Sequence, residues 1–470
     1  MQIRSVTINS FRGLGQTNLR LQPGFNLLVG INGAGKTSLL EAMRILLAKA
    51  VQETTPASAF KDVAISASDI TVGRDFTVVE MEFLLHETTF QITMSEQREQ
   101  LRDAIFGGLK DIRDVEELPR LRREDRPAQG DVRLEGTLRG QTSERPEIGV
   151  RISPAPDKQL KTKRPLPLVL FLSVRRAIAT HRAPKAAPKV PAYEAAFDAE
   201  RGLSIAGLAE WWRTREALVA DARAQGDKSD RYNRQLAAVR EALTTLLPEV
   251  QEWRVAGRDM RVTRKVMVTK INSSGEEELA EEARDIPVGW LSDGERSLAA
   301  IGADIAIRLA TLNEGSQNPV KDGAGVVLLD EIDLHLHPQW QRRIAADLPA
   351  AFPRVQFIAT SHSPQVIGET PAGRAILLHE GGRTEVLDES LGRDSGWILR
   401  HVMDTPERNA KLQAGLDEID QLMEGGELDK ARSTVTALRA QFGDDKELIG
   451  ANAAIDRWEV LGDETDSEGA

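Results

Sequence analysis

Gly30-Ile31-Asn32-Gly33-Ala34-Gly35-Lys36-Thr37-Ser38 stands between a predicted strand, Phe25 to Val29, and a stretch of helical spacing, Thr37 to Ala48. Glycine, four residues and then Gly-Lys-Thr is the spacing of a phosphate-binding P-loop, and a strand before with a helix after is the setting the motif requires. Glycines let the backbone curl until its amide hydrogens face phosphate oxygens, and the helix start adds a dipole that favours anions. Residues Asn32, Gly33, Ala34, Gly35, Lys36, Thr37 and Ser38 are thus the expected nucleotide cradle. Lys36 is expected to hold the β and γ phosphates, and the Thr37 hydroxyl to bind Mg²⁺. A glycine-rich turn that holds no nucleotide is the bland alternative.

An apolar run, Val326-Val-Leu-Leu, ends in Asp330-Glu331. Four apolar residues followed by two carboxylates suit a buried parallel strand that ends beside a phosphate site, the Walker B pattern. Asp330 is then the Mg²⁺ ligand, through water, and Glu331 the residue that orients or deprotonates the attacking water. Taken alone, such a strand is as often plain core.

Upstream, Leu291-Ser292-Asp293-Gly294-Glu295-Arg296 opens a helical stretch, Ser297 to Leu312. It resembles the ABC signature in its Leu-Ser-x-Gly-Glu form. A serine and a glycine at a helix start can offer a hydroxyl, amides and a dipole to a γ-phosphate held by another subunit, so Ser292 and Gly294 imply a head-to-tail dimer. The same residues also read as a simple Ser-x-x-Glu capping box, and both readings can hold together. Acidic Asp293 and Glu295 depart from the transporter form, Leu-Ser-Gly-Gly-Gln.

Other residues join by resemblance. His362, in Ala359-Thr-Ser-His-Ser-Pro364, matches the switch histidine that senses the γ-phosphate and steadies the hydrolytic water. Phe11-Arg12-Gly13 resembles the Asn-Phe-Arg opening of SMC and RecF proteins, whose arginine touches nucleotide phosphate. Asp333 falls where the family's D-loop crosses the dimer interface. No Q-loop glutamine or adenine-stacking aromatic is assigned. His335 and His337 flank Leu336 and suggest a metal pair at most weakly, because no third ligand is evident.

These motifs together are similar to those of the ABC/SMC/RecF ATPases, and most of all to the PtuA family, the ATPase subunits of Septu and retron-associated anti-phage systems. The resemblance is strong over residues 1–50 and 286–380 and weaker over the C-terminal helices. It implies ATP and Mg²⁺ as cofactors and an ATPase that dimerises, with higher homo-oligomers open. It also implies a separate HNH nuclease subunit, with which the family's ATPase is paired, and this chain fits that division, since neither a His-Asn-His pattern nor a C-terminal TOPRIM domain is evident here. The competing class is a RecF/SMC-like DNA repair or DNA-clamping ATPase. A transporter motor is disfavoured, since residues 36 and 292 lie much farther apart than that class allows.

The expected fold is α/β: a split P-loop sheet with an antiparallel side sheet, forming an ABC-type head. Alternation such as Phe76-Thr-Val-Val-Glu-Met-Glu-Phe83 predicts antiparallel strands over residues 76–94 and again over 131–152. Arg98 to Arg126 reads as a charged insertion, and Leu203 to Leu247 as a short helical hairpin. At about 1.5 Å per residue this hairpin is only a stub of an SMC arm. The expected organisation is an N-lobe with P-loop and side sheet over 1–190, the hairpin over 191–250, a C-lobe with signature, Walker B and switch histidine over 251–400, a small helical domain over 401–460 and an acidic tail over 461–470.

Composition is consistent with this. The chain has 470 residues, 41% hydrophobic and 28% charged, which is ordinary for a folded protein. No apolar run reaches membrane-spanning length and Gln2 to Asn9 does not read as a signal peptide, so a cytoplasmic protein without a membrane partner is expected. Cysteine is absent, which removes disulfides and Cys-ligated zinc. A net charge of −11 argues against a surface that coats nucleic acid. Lys158 to Lys189 nevertheless carries nine Lys/Arg and no Asp/Glu, so a local nucleic-acid strip, at Lys161, Lys163, Arg182 and Lys185, stands beside the simpler reading of a solvated flank.

Overall fold

A computed structural model describes residues 1–57, 60, 63–98, 149–157, 160–162, 165–174, 191–198, 205–227, 230–257, 259–271 and 277–467. The chain opens with an antiparallel hairpin, β1 (Gln2–Phe11) and β2 (Leu14–Arg20). Next come β3 (Phe25–Val29), buried along its whole length, and α1 (Lys36–Thr54). Strands β4 (Phe76–Leu85) and β5 (Thr88–Gln97) follow, and β4 buries every second residue, as its alternating sequence requires. With β6 (Gly149–Ser153) these strands form an antiparallel sheet in the order β2-β1-β4-β5-β6. The expected insertion at Arg98 to Arg126 and the expected strands over 131–148 lie outside the described residues, apart from Arg98 itself.

The chain then runs through β7 (Leu168–Leu172), α2 (Ile205–Ala224), α3 (Arg231–Leu246), β8 (Val250–Ala256), β9 (Asp259–Ile271) and β10 (Glu277–Pro287). After these come α4 (Asp293–Leu312), β11 (Gly325–Leu329), α5 (Pro338–Gln341), α6 (Ile344–Ala351), β12 (Val355–Thr360), α7 (Pro364–Glu369), β13 (Ala375–Leu378) and β14 (Thr384–Leu387). The central sheet has the order β14-β13-β3-β12-β11-β7, parallel from β7 to β13 with β14 antiparallel at the edge. Its strands β3, β7, β11 and β12 are wholly buried, which explains why they are mostly apolar, with Asn26, Gln356 and Thr360 as buried polar exceptions.

One buried amide joins the two sheets. Gln356 of β12 accepts from the Ile3 N–H at 2.7 Å and donates to the carbonyls of Ile3 and Gln22, each at 2.9 Å. A polar side chain in this position is tolerated because its hydrogen-bonding groups are satisfied.

The helical hairpin α2–α3 lies against the signature helix. Gln235 of α3 donates to the Ala310 carbonyl at 2.9 Å, and Leu246 sits so close to Gly302 that a β-carbon there would be 2.4 Å from it. Strands β8, β9 and β10 form a separate antiparallel sheet in the order β10-β9-β8, which sequence reading missed. The signature helix also begins earlier than the Ser297 start read from spacing, at Asp293, because Ser292 caps it. Lys161, from the basic strip, donates to the Gln52 carbonyl at 3.4 Å, while Lys163, Arg182 and Lys185 lie outside the described residues.

Contacts divide the chain into Met1–Gly392 and Arg393–Ala470. The second unit holds α8 (Ser395–His401) and three helices, α9 (Ala410–Glu424), α10 (Leu428–Phe442) and α11 (Lys446–Ser467). Leu412, Leu416, Ile419, Ala431, Val435, Leu448 and Ile455 make its small core. No helix among the described residues is long and apolar enough to cross a membrane.

Candidate nucleotide-binding site

The P-loop joins β3 to α1 at the centre of the sheet. Gly35 caps α1 in the left-handed region, at φ 98°, where a β-carbon would stand 2.5 Å from Leu14 Cδ2. Only glycine fits that turn. No side chain caps the start of α1 and its first turn holds no acidic residue, so the orphan N–H groups there remain donors for an anion.

Lys36 is buried, and its ammonium donates to the carbonyls of Gly30 at 2.7 Å and Ile31 at 3.0 Å. Burial holds its pKa below the ordinary lysine value, against the opposing pull of Asp330, Glu331 and Asp333. A bound polyphosphate would offset that desolvation.

Beside β3 runs β12, and beside β12 runs β11, in parallel register (Leu27↔Ala359, Ala359↔Leu329). That register delivers Asp330, Glu331 and His362 to the edge where the P-loop sits. Thr37 Oγ1 lies 3.2 Å from Asp330 Oδ2. Thr360 Oγ1 donates to Asp330 Oδ1 at 2.7 Å and accepts from the Glu331 N–H at 2.7 Å. Glu331 itself has φ 49°, left-handed and uncommon for a residue with a side chain.

His362 is drawn below its ordinary pKa, first by burial and second by the Lys36 ammonium, with Asp333, Glu331 and Asp330 acting the other way. That direction favours the neutral imidazole, which can donate at one nitrogen and accept at the other. Gln341 ties the two loops of this edge. Its amide donates to the carbonyls of Leu336 at 2.8 Å and Asp333 at 3.4 Å, while its oxygen accepts from Ser363 Oγ at 2.7 Å.

Arg12 lies beside the first turns of α1, next to Ser38 and Glu41. Its Nε donates to Asp69 at 2.7 Å, Glu41 is 3.8 Å from its Nη2, and Ser38 Oγ donates to its carbonyl at 3.4 Å. Burial alone would raise the Asp69 carboxyl, but hydrogen bonds from Ser66 and Arg12 outweigh it and leave the pKa below the carboxylate range.

Lys36, Thr37, Asp330, Glu331, Asp333 and His362 thus come together. Ser292 and Gly294 are placed elsewhere, at the start of α4. Ser292 is exposed and forms a reciprocal capping box with Glu295. Gly294 packs on the loop after Asp333, where a β-carbon would be 2.9 Å from the His335 carbonyl oxygen. His337 caps α5, and among the described residues no group of three or more His, Asp or Glu is placed to hold a metal with His335 and His337.

Thr360, Gln341, Asp69 and Glu41 escaped sequence reading. Thr360 had a signal, since it directly precedes Ser361-His362; the roles of the others appear only once distant segments meet. The assembled residues fit a nucleotide with a divalent ion. The uncapped helix start and Lys36 face toward anion binding, and the Thr37 hydroxyl and Asp330 carboxylate converge as hard oxygen donors.

Comparison with known proteins agrees with that geometry. Residues 25–368 match the family described as "AAA domain, putative AbiEii toxin, Type IV TA system". "Retron Ec83 probable ATPase" of Escherichia coli is 39% identical over 36% of this chain and 32% of its own length. "Septu protein PtuA" of Bacillus thuringiensis is 37% identical over 24% of this chain and 30% of its own. The chain therefore spans about a third of the length of these curated relatives. Among solved structures, the SMC head domain from Thermotoga maritima is 13% identical, with a TM-score of 0.40 over 82% of this chain and 99% of that one. The family match begins at the strand before the P-loop and ends beyond His362, and the chain belongs to that AAA-domain family.

Proposed function

We propose that the chain binds ATP with Mg²⁺ and hydrolyses it between two copies arranged head to tail, as the ATPase of an anti-phage defence complex. The observation that supports this best is the chain of contacts Thr37–Asp330–Thr360–Glu331, which ties the P-loop to the Asp330 carboxylate and, through Thr360, to the backbone N–H of Glu331. In this reading Asn32 to Ser38 cradle the phosphates, and Lys36 neutralises the β and γ groups. Thr37 and Asp330 hold Mg²⁺, which supplies charge neutralisation at the phosphate oxygens when bound.

Glu331 takes a proton from water as the water oxygen bonds to the γ-phosphorus and the bond to the β,γ-bridging oxygen breaks, releasing ADP and phosphate. Neutral His362 orients that water or the γ-phosphate. Arg12 adds positive charge at the phosphate side, and Asp333 lies at the seam between copies. Ser292 and Gly294 of the second copy close the site, which accords with the exposed position of Ser292. Regulation of a separate HNH-type nuclease by this nucleotide cycle completes the proposal, supported by the likeness to Septu and retron ATPases.

Two variants test the chemistry. Lys36→Ala should lose the ATP-induced rise in melting temperature, whereas Glu331→Gln should keep that rise and lose most phosphate release. Full turnover by Glu331→Gln would remove its role as base.

A further inference from the structure

The signature of this chain presents an electrostatic difficulty. A helix start that is to receive a phosphate carries two carboxylates, Asp293 and Glu295, in its first turn. Like charges there would consume the favourable dipole and repel the incoming anion. Each carboxylate is, however, paired with a guanidinium. Asp293 pairs with Arg296 one turn along the same helix. Glu295 is more deeply placed, its side chain only 9% exposed, and its partner comes from outside every motif: Arg264 of β9, with Nη1 at 3.2 Å from Oε1.

The two oxygens of Glu295 have separate duties. Oε2 accepts from both the N–H and the hydroxyl of Ser292, each at 2.8 Å, while Oε1 faces Arg264. The Ser292 hydroxyl must turn its proton from Glu295 toward a phosphate before it can serve one. When it does, Arg264 still holds the carboxylate in place and balances its charge. Arg264 is well fixed for this, because β9 is the middle strand of its sheet, with Arg264 opposite Arg284 of β10 and Val250 of β8. The same strand packs against the short turn Val288–Trp290 that leads into the signature.

We infer that Arg264 is a positioning residue for the signature, acting through Glu295 to let Ser292 and the start of α4 accept the γ-phosphate of a second copy. This rests on the two-copy reading above. It assigns the β8–β10 sheet a part in nucleotide-driven association rather than in nucleotide binding within one copy.

The test uses the full chain in the Glu331→Gln background, with ATP and Mg²⁺, and compares Arg264→Ala, Arg264→Lys and Arg264→Ala/Glu295→Gln. Nucleotide affinity of the single copy and ATP-dependent association are both measured, by titration and by sedimentation. Arg264→Ala should raise the protein concentration needed for association by about tenfold or more and leave nucleotide affinity within about twofold. Arg264→Lys should restore most of the association. Glu295→Gln should rescue Arg264→Ala, since a neutral amide needs no compensating charge, whereas damage to packing alone would not be rescued. Should Arg264→Ala melt too early to assay, the Lys and double variants carry the test. Association of Arg264→Ala equal to that of its parent, or no rescue in the double variant, overturns the inference alone. Absence of ATP-dependent association in the parent itself removes the two-copy reading and this inference with it.

Discussion

Glu331 holds a backbone conformation that few residues with a β-carbon adopt, and the neighbouring Thr360 is what maintains it. The Thr360 hydroxyl takes the Glu331 N–H, its carbonyl takes the Ile332 N–H at 2.9 Å, and its proton goes to Asp330. Backbone strain of this kind persists where surrounding contacts over-determine it, commonly at functional sites. Thr360→Val keeps the shape and removes the hydroxyl, leaving the Glu331 N–H without its acceptor. We expect a loss of about 1–3 kcal/mol in unfolding free energy and a clear fall in phosphate release, with ATP still bound. Chemical denaturation and a turnover assay check both, and wild-type values in each would show that Thr360 is ordinary core.

At the scale of elements, the decisive ones could be read because burial on both faces leaves an unbroken apolar run. That is true of β11, and of β3 and β12 apart from the buried polar residues Asn26, Gln356 and Thr360, and the alternation of β4 was equally plain. The β8–β10 sheet was not legible, because β10 is mostly exposed and carries charge on both faces, so no period of burial shows in Glu277 to Pro287. The signature helix illustrates the same limit. Its capping serine was visible in sequence, but the requirement for Gly294 depends on the loop after Asp333, which meets it only in the fold. A carbonyl oxygen 2.9 Å from the added β-carbon of Gly294→Ala cannot yield as a flexible side chain would. That variant should bind ATP with near-normal affinity yet lose most turnover, because α4 must shift away from the loop. Turnover within about twofold of wild type would contradict the close approach.

Across the whole molecule, residues far apart in the chain are brought to one sheet edge by β12, the parallel neighbour of β3, and by β11 beside it. The sheet accounts for Asp330, Glu331 and His362, but it leaves Ser292 exposed at the start of α4. A second copy supplies what each lacks in this account. The most direct measurement is ATP turnover by an equal mixture of Lys36→Ala and Ser292→Arg chains, compared with each variant alone. Shared sites predict that both are inactive separately and that the mixture recovers phosphate release, because one intact P-loop then meets one intact signature. A mixture as inactive as its components, or full turnover by Ser292→Arg alone, would contradict catalysis between copies.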